Sequence, residues 1–574
     1  MKELFKYMKP MRWFIALTLT VKIAASLIEL AIPYVLGHIL DRVVPKNTVT
    51  EIVMWGVFMI ACALLACLGN IIANRMAAKV ARNTTQKIRH ELFDRTMRLS
   101  SAQIDKFTIP SLESRLTSDT YHVHHFIGMI MRMGVRAPIL LVGGILITVF
   151  LDPVLTLVML VVLPFIGTSV FLITKKGVPL FKKSQRSVDE MIRVVREDAQ
   201  GIRVIKALSK VDYEKRRYDA TNRQLVADEK KASSTMALSN PLVTFFLNFG
   251  LVSVIVVGAF RVNGDLSQTG KIIAFIQYFT MISNAMIFLT RIFVHSSKGS
   301  ASAQRIFEVI NTEADLTVAD ESLYPPVSDD ALIRFKNVSF SYIGKKDNLS
   351  RIDFALNKGQ SLGIIGATGS GKTTLIQLLM RLYDVREGSI TVGGRDVRAI
   401  PHEELNSMFG VVMQNDFIYA GSIRDNIDFG RGINEESMRR AARIAQAEEF
   451  IEAFDDKYDH MLNSKGTNLS GGQRQRLLIT RAIAGDPEIL VLDDASSALD
   501  YKTDSKLRRA IREEMGDVTT VIVAQRVSSI MHCDLILVLD GGKIIGKGTH
   551  EELMESCEVY REISDSQIGG AFLD

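Results

Sequence analysis

Six long, mostly apolar runs mark the first half of the chain, at about Trp13–Leu36, Ile52–Ala73, Gly134–Leu151, Val154–Thr174, Leu242–Val262 and Ile272–Phe293. A helix needs ~20 such residues to cross the hydrocarbon core of a bilayer, and each run is near that length. Only Asp152-Pro153 parts the third run from the fourth, which predicts a hairpin with a very tight loop. Two long polar segments interrupt the series. The first joins runs two and three and carries Arg75, Lys79, Arg82, Lys87, Arg89, Arg95, Arg98 and Lys106. The second joins runs four and five and carries Lys175, Lys176, Lys182, Lys183, Arg186, Arg193, Arg196, Arg203 and Lys206. Since positive residues stay on the cytoplasmic side, both segments and both termini are expected in the cytoplasm, with the chain in a plasma or inner membrane. Helical spacing at Val188, Met191, Ile192 and Val195, with few breakers, predicts that these segments prolong the membrane helices.

From about Ala331 the pattern changes to short buried strands alternating with helices, as in a soluble α/β protein. A chain of 574 residues is too long for one domain. The expected division is a transmembrane domain over 1–310, a linker over 311–330 and a nucleotide-binding domain over 331–574. A hydrophobic share of 47% therefore averages two unlike parts. The net charge of +6 resides largely in the two polar segments, which favours membrane topology over nucleic-acid binding. Cys62, Cys67, Cys533 and Cys557 have neither metal-ligand nor disulfide spacing and are expected to be free thiols. Residues 1–9 pair Leu4, Phe5, Tyr7 and Met8 with Lys2, Lys6 and Lys9, the pattern of a helix on the cytoplasmic membrane surface. The apolar run behind them lacks a small-residue cleavage site, so no cleavable signal is expected.

The chemistry is concentrated in the second half. Gly366-Ala367-Thr368-Gly369-Ser370-Gly371-Lys372-Thr373 fits GxxxxGK[ST], follows the strand-like Ser361–Ile365 and opens a helical run, Thr374–Leu382. Glycines let backbone N–H groups reach phosphate oxygens, and the helix N-terminus adds its positive dipole end. Lys372 would contact the β- and γ-phosphates and Thr373 would ligate Mg²⁺. Ile489–Asp493 reads as a buried strand ending in a carboxylate, Asp493, that holds Mg²⁺. Between these anchors lies Leu469-Ser470-Gly471-Gly472-Gln473, a serine and two glycines before a helix. That pentapeptide resembles the signature of the ATP-binding cassette almost letter for letter.

The six runs, the long polar segments and these motifs together resemble an exporter-type ABC half-transporter, close to the heterodimeric multidrug-type exporters of bacteria. The resemblance implies a six-helix membrane domain fused to a P-loop α/β ATPase, with ATP and Mg²⁺ as cofactors. It implies that Gly366, Thr368, Gly369, Ser370, Gly371, Lys372, Thr373 and Thr374 cradle the nucleotide. Ser470, Gly471, Gly472 and Gln473 would close over ATP held by the other half of the dimer. Tyr342 in "FSY" matches the aromatic that stacks on adenine, and Gln414 in "VVMQND" matches the glutamine that contacts Mg²⁺ and the attacking water. Ser497–Asp500 matches the loop that crosses the dimer interface, placing Asp500 near the shared nucleotide. Short transverse coupling helices are expected near Ser114–Val123 and Gly201–Ser209.

Three departures from the family pattern follow. Asp494 stands where a catalytic glutamate is usual, so the carboxylate is one methylene short. Gln525 in "VIVAQRVSSI" replaces a histidine; its amide can hydrogen-bond but cannot relay a proton. Ser464 occupies a commonly acidic position. In a composite site, Lys372, Asp493, Asp494 and Gln525 would face the partner's signature and form a degenerate site. The intact Ser470–Gln473 would face a competent one. The residues therefore predict a heterodimer with a catalytically complete half-transporter, the other reading being a homodimer with slow ATPase. Expected cargo is a hydrophobic or amphipathic drug or lipid. No cysteine-protease-like stretch precedes the first run, which argues against bacteriocin-type peptide export. A nucleotide sensor that signals without transport would show neither substrate-stimulated ATPase nor vesicle accumulation. The six spans exclude a soluble DNA-repair or translation ATPase. Lys22, Glu29, Arg132, Arg136 and Arg291 are ionisable residues in or at the ends of the runs. They either pair with one another and with neighbouring helices or line a polar translocation cavity.

Overall fold

The computed structural model describes residues 2–46, 48–320, 322–327, 331–342, 344 and 347–568. The chain forms two compact units, Met1–Met97 with Ile109–Thr312, and Arg98–Thr108 with Glu313–Asp574.

The first unit is helical. Among the described residues, six helices are long and apolar enough to cross a membrane. Their helical cores are Arg12–His38, Val49–Met97, Thr120–Leu151, Pro153–Ala207, Ser239–Asn263 and Thr269–Ile310. Helices satisfy every backbone polar group internally, which a bilayer demands. Leu64, Leu68, Phe150 and Phe260 are exposed on the outside, while Leu155, Met159, Phe275, Tyr278 and Ile282 fill the core. Close packing uses small residues: a Cβ at Gly250 would sit 2.5 Å from Phe279 Cζ. At the tight hairpin, Asp152 caps the fourth helix by accepting from Val154 N–H at 3.1 Å, and its other oxygen accepts from Arg261 Nε at 3.0 Å. Beyond the apolar runs, Lys183 pairs with Asp228 at 2.7 Å and Arg305 with Asp119. The N-terminal helix, Lys2–Met8, buries Leu4 and sets the Tyr7 ring 5.5 Å from that of Phe307. One of its faces therefore packs on protein, which the expectation of a surface helix did not include.

The coupling helices differ from expectation. Ser114–Val123 passes through one wide turn, Arg115–Asp119, straight into the third membrane helix. The short separate helix is instead Ser101–Phe107, and it belongs to the second unit. A capping box fixes its start, with Ser100 Oγ accepting from Gln103 N–H at 3.2 Å. Near Gly201–Ser209 no separate helix forms: the long fourth helix runs to Ala207, and a turn at Leu208-Ser209 leads into Val211–Ala237.

Among its described residues the second unit has twelve strands: β1 Ala331–Phe340, β2 Leu349–Asn357, β3 Ser361–Gly366, β4 Glu387–Val392, β5 Arg395–Asp396, β6 Phe409–Val412, β7 Gly421–Ser422, β8 Met461–Leu462, β9 Ile489–Asp493, β10 Thr519–Val523, β11 Leu535–Asp540 and β12 Lys543–Gly548. The central sheet runs β12-β11-β3-β10-β9-β6, parallel except at β12. Its inner strands read as unbroken apolar runs because both faces are covered. A second, antiparallel sheet has the order β2-β1-β4-β5. The segment around Thr317 is fastened to this unit through Arg381, 2% exposed, which donates to Thr317 O at 2.7 Å and also to Arg398 O at 3.1 Å. Open sheets of this kind bind ligands outside the carboxyl ends of their parallel strands. Here the ends of β3, β10, β9 and β6 deliver the P-loop, Gln525, Asp493-Asp494 and Gln414 side by side.

Candidate nucleotide site

The P-loop conformation depends on glycine at two places. Gly366 has φ +155°, and a Cβ there would lie 2.1 Å from Leu539 O. Gly371 has φ +102°, with Leu349 Cδ2 only 2.6 Å from a built Cβ. The helix behind the loop is Lys372–Leu379, two residues earlier at its start than the apolar pattern implied, because Gly371 serves as its N-cap. Its N-terminal N–H groups and dipole suit an anion. Lys372 Nζ donates to Gly366 O at 2.8 Å and Ala367 O at 2.9 Å. Burial lowers its pKa, with Asp493 and Asp494 opposing the shift.

A cleft of about 250 Å³ brings together Thr368, Gly369, Gly371, Lys372, Thr373, Thr374, Gln414, Asp493, Asp494 and Gln525. Asp493 is buried, its pKa is raised by desolvation, and Thr373 is its hydrogen-bonding neighbour. Asp493 Oδ2 and Ser370 Oγ are buried without a partner. Orphaned buried oxygens are costly, and a metal-bound polyphosphate would satisfy both. The residues present therefore fit ATP with Mg²⁺.

Asp494 and Gln525 are joined. Gln525 Nε2 donates to Asp494 Oδ2 at 2.9 Å. Burial raises the Asp494 pKa, and the Gln525 bond, Lys372 and Arg526 pull it back. Asp494 sits at φ +54°, a left-handed conformation that aspartate tolerates better than most residues. The backbone of Gln525 is fixed in turn, its carbonyl accepting from Gln567 Nε2 at 2.8 Å while Gln567 Oε1 accepts from Val527 N–H at 2.8 Å.

The remaining predicted residues lie outside the cleft lining. The Tyr342 hydroxyl lies 2.5 Å from Gln377 Oε1 and 3.1 Å from Thr374 Oγ1, against the P-loop helix. Its ring meets Tyr383 edge-on at 5.1 Å. Ser470 caps the helix Gly471–Ile483 in a capping box with Gln473, 2.9 and 3.2 Å, and this element is apart from its own chain's P-loop cleft. Asp500 caps Tyr501–Glu514 by accepting from Thr503 N–H at 2.9 Å and Thr503 Oγ1 at 2.7 Å. Its carboxylate thus holds the start of that helix. Ser464 begins a short helical turn, Ser464–Gly466.

Sequence reasoning missed Asn348, Tyr383 and Gln567. Asn348 lines the cleft and accepts from Tyr342 N–H at 3.2 Å. Tyr383 donates to Asp105 Oδ2 at 2.7 Å, tying Ser101–Phe107 to the aromatic cluster. The pairings of Tyr383 and Gln567 span 278 and 42 residues, and that of Asn348 lies within an irregular loop, so no motif marks any of them.

Comparison with known proteins agrees with this geometry. Residues 15–286 match the ABC transporter transmembrane region family and residues 349–497 the ABC transporter family. An uncharacterized ABC transporter ATP-binding protein of Mycobacterium tuberculosis is 33% identical over 98% of this chain and 97% of its own length. The Bacillus subtilis ABC transporter ATP-binding protein YfiB is 31% identical over 99% of both chains. A bacterial Atm1-family ABC exporter, solved with ATP bound, superposes with a TM-score of 0.78 at 22% identity over 96% of this chain and 98% of that one, so the exporter fold is shared. This protein thus belongs to the ABC transporters: a multi-pass membrane protein with the exporter fold, whose fused ABC ATPase binds and hydrolyses ATP in transport.

Proposed function

We propose that this chain is the degenerate-site half of a heterodimeric exporter in the plasma or inner membrane, with its termini and ATPase unit in the cytoplasm. Its cargo would be hydrophobic or amphipathic, a drug or a lipid, moved from the cytoplasm or inner leaflet. The observation that carries the reading is the Asp494–Gln525 pair, a shortened carboxylate bonded to an amide at 2.9 Å, in a chain that keeps Ser470–Gln473 intact elsewhere.

In this reading Lys372, the P-loop amides and Thr374 bind the phosphates, and Tyr342 takes the adenine. Thr373, Asp493 and Gln414 would hold Mg²⁺, which supplies positive charge against the β- and γ-phosphates. Asp494 is the only nearby candidate to polarise water among the cleft's carboxylates once Asp493 is given to the metal. Its reach is short, and Gln525 cannot take up a proton from it. ATP would therefore persist at this site and bias the dimer through its differential affinity for the closed state. Ser470–Gln473 and Asp500 would serve the partner's ATP. A homodimeric flippase or drug exporter with slow ATPase is the second reading, favoured by the carboxylate that survives at 494.

The test is an asymmetry in the purified complex. Asp494→Ala is expected to change ATPase by no more than about threefold. Ser470→Ala should cost on the order of 10²-fold, the usual scale for losing one positioned transition-state donor. Comparable losses from the two substitutions would overturn the degenerate-site assignment.

A further inference from the structure

The helical unit contains a polar cluster whose charges do not balance. Lys22, on the first membrane helix, is 2% exposed. Its ammonium donates to Asn70 Oδ1 at 2.7 Å and Asn74 Oδ1 at 3.1 Å, both on the second helix. These acceptors are neutral, and they are two for three N–H bonds. Two turns along the first helix, Glu29 is gripped by Arg136 of the third, Nη2–Oε1 2.6 Å and Nε–Oε2 3.2 Å. Arg132, one turn from Arg136, is half-buried and has no ion pair or hydrogen bond among the described residues. Helices one and three cross in the same sense, Lys22 stands seven residues before Glu29 and Arg132 four before Arg136, so the Glu29–Arg136 contact sets both basic residues toward the same end of the helix pair. The side chain of Arg291 lies outside the described residues.

The single carboxylate is already paired bidentately, leaving the charge of Lys22 and that of Arg132 uncompensated. Charges at membrane depth are costly unless countered, and they mark sites of function. Neutral amides can orient an ammonium but cannot cancel it. A guanidinium fork matches carboxylate, sulfonate or phosphate oxygens. The same surplus repels lipophilic cations.

We propose that Arg132 grips the headgroup of an anionic amphiphile, with the buried charge of Lys22, held by Asn70 and Asn74, attracting it from behind and Glu29 setting the orientation of Arg136. This rests on the exporter reading and narrows its cargo from hydrophobic compounds in general to amphiphiles bearing negative charge. An anionic lipid and a soluble anionic amphiphile share that chemistry.

The experiment is equilibrium binding of radiolabelled taurocholate to the full chain, with its partner subunit where the two copurify, in phosphatidylcholine nanodiscs. Saturable binding is expected. Lys22→Met and Arg132→Gln should each weaken it at least tenfold, whereas Glu29→Gln, which removes the opposing charge, should tighten it severalfold. The opposite signs separate a binding role from general damage to the fold. Replacing a fifth of the lipid by phosphatidylglycerol distinguishes the sources: displacement of taurocholate identifies a lipid headgroup site, and no displacement a site for the soluble amphiphile. Absent binding, binding indifferent to Lys22→Met and Arg132→Gln, or equal competition by tetraphenylphosphonium would overturn the proposal. ATP-driven uptake of a neutral dye without anion binding would sink this assignment and leave the exporter reading intact. Anion binding without ATP-driven transport of any compound would do the reverse.

Discussion

If Asp494 is deficient because of its length, lengthening it should restore chemistry, provided that its neighbour is changed as well. In the structure the carboxylate is met by the Gln525 amide at 2.9 Å, already full hydrogen-bond contact. One added methylene advances the carboxylate by more than ~1 Å, and a displacement of ~1 Å at a reacting centre is worth on the order of 10²-fold in rate. The advance would press the carboxylate into the Gln525 amide. Asp494→Glu alone should therefore recover only part of the gain. Asp494→Glu with Gln525→His supplies both the reach and a ring that can accept and return a proton. Turnover at this site should then rise roughly 10²-fold. The assay is single-turnover ATP hydrolysis in a complex whose other site has been silenced by replacing the partner's catalytic carboxylate. If the double variant binds ATP as before and hydrolyses it no faster, the reasoning from carboxylate reach is wrong.

Two further predictions concern the ATPase unit. Arg381→Met should remove the bonds to Thr317 O, Arg398 O and the Asp384 carboxylate, 2.9 Å from Arg381 Nε. Leaving these groups unpaired should cost roughly 3–5 kcal/mol. It would read as a drop in the unfolding midpoint of the ATPase unit, and Arg509→Ala, on an exposed surface, should produce none. Cys533 is buried, and burial raises its thiol pKa from 9.0 to about 12. Between about pH 9 and pH 12 the unfolded chain has lost this proton and the folded chain keeps it, so stability falls as pH rises through that window. Below pH 9 the contribution is fully present, and Cys533→Ser should flatten the alkaline part of the profile. Iodoacetamide at pH 8 should leave Cys533 unmodified until the protein is denatured; prompt labelling of the native protein would contradict its burial.

What was legible in the sequence depended on repetition and on local context. The central strands β3 and β9 were found nearly to the residue because they are short apolar runs, each ending at a recognisable chemical group. The six spans were legible from length alone, although the second helix extends to Met97 and the fourth to Ala207, well past the apolar runs that marked them. Apolar periodicity hid the true start of the P-loop helix, since Gly371 initiates it through conformation and not through a hydrophobic contact. The capping box at Ser100–Gln103 was present in the letters, but family resemblance drew attention to Ser114–Val123 instead. The Asp494–Gln525 bond and the clamp from Gln567 joined residues 31 and 42 positions apart, and such pairings leave no periodic trace. Identity at 494 and 525 raised the question of catalysis; only their separation showed that the two substitutions touch.

The small helix Ser101–Phe107 has a bearing on how this protein can be taken apart. It enters the ATPase unit from the midst of the membrane sequence, with Ser100 Oγ bonded to Asp315 at 2.8 Å, Gln103 Nε2 to Glu313 O at 2.7 Å and Asp105 to Tyr383 at 2.7 Å. A cassette cut out at the linker would leave that surface bare, with Tyr383 and its aromatic neighbours newly wetted. An ATPase transplanted from a relative would meet a strange helix there unless residues 98–108 travelled with it. The protein is thus less a motor bolted to a channel than a single strand threaded twice through its engine, and swapping engines means re-threading the loop.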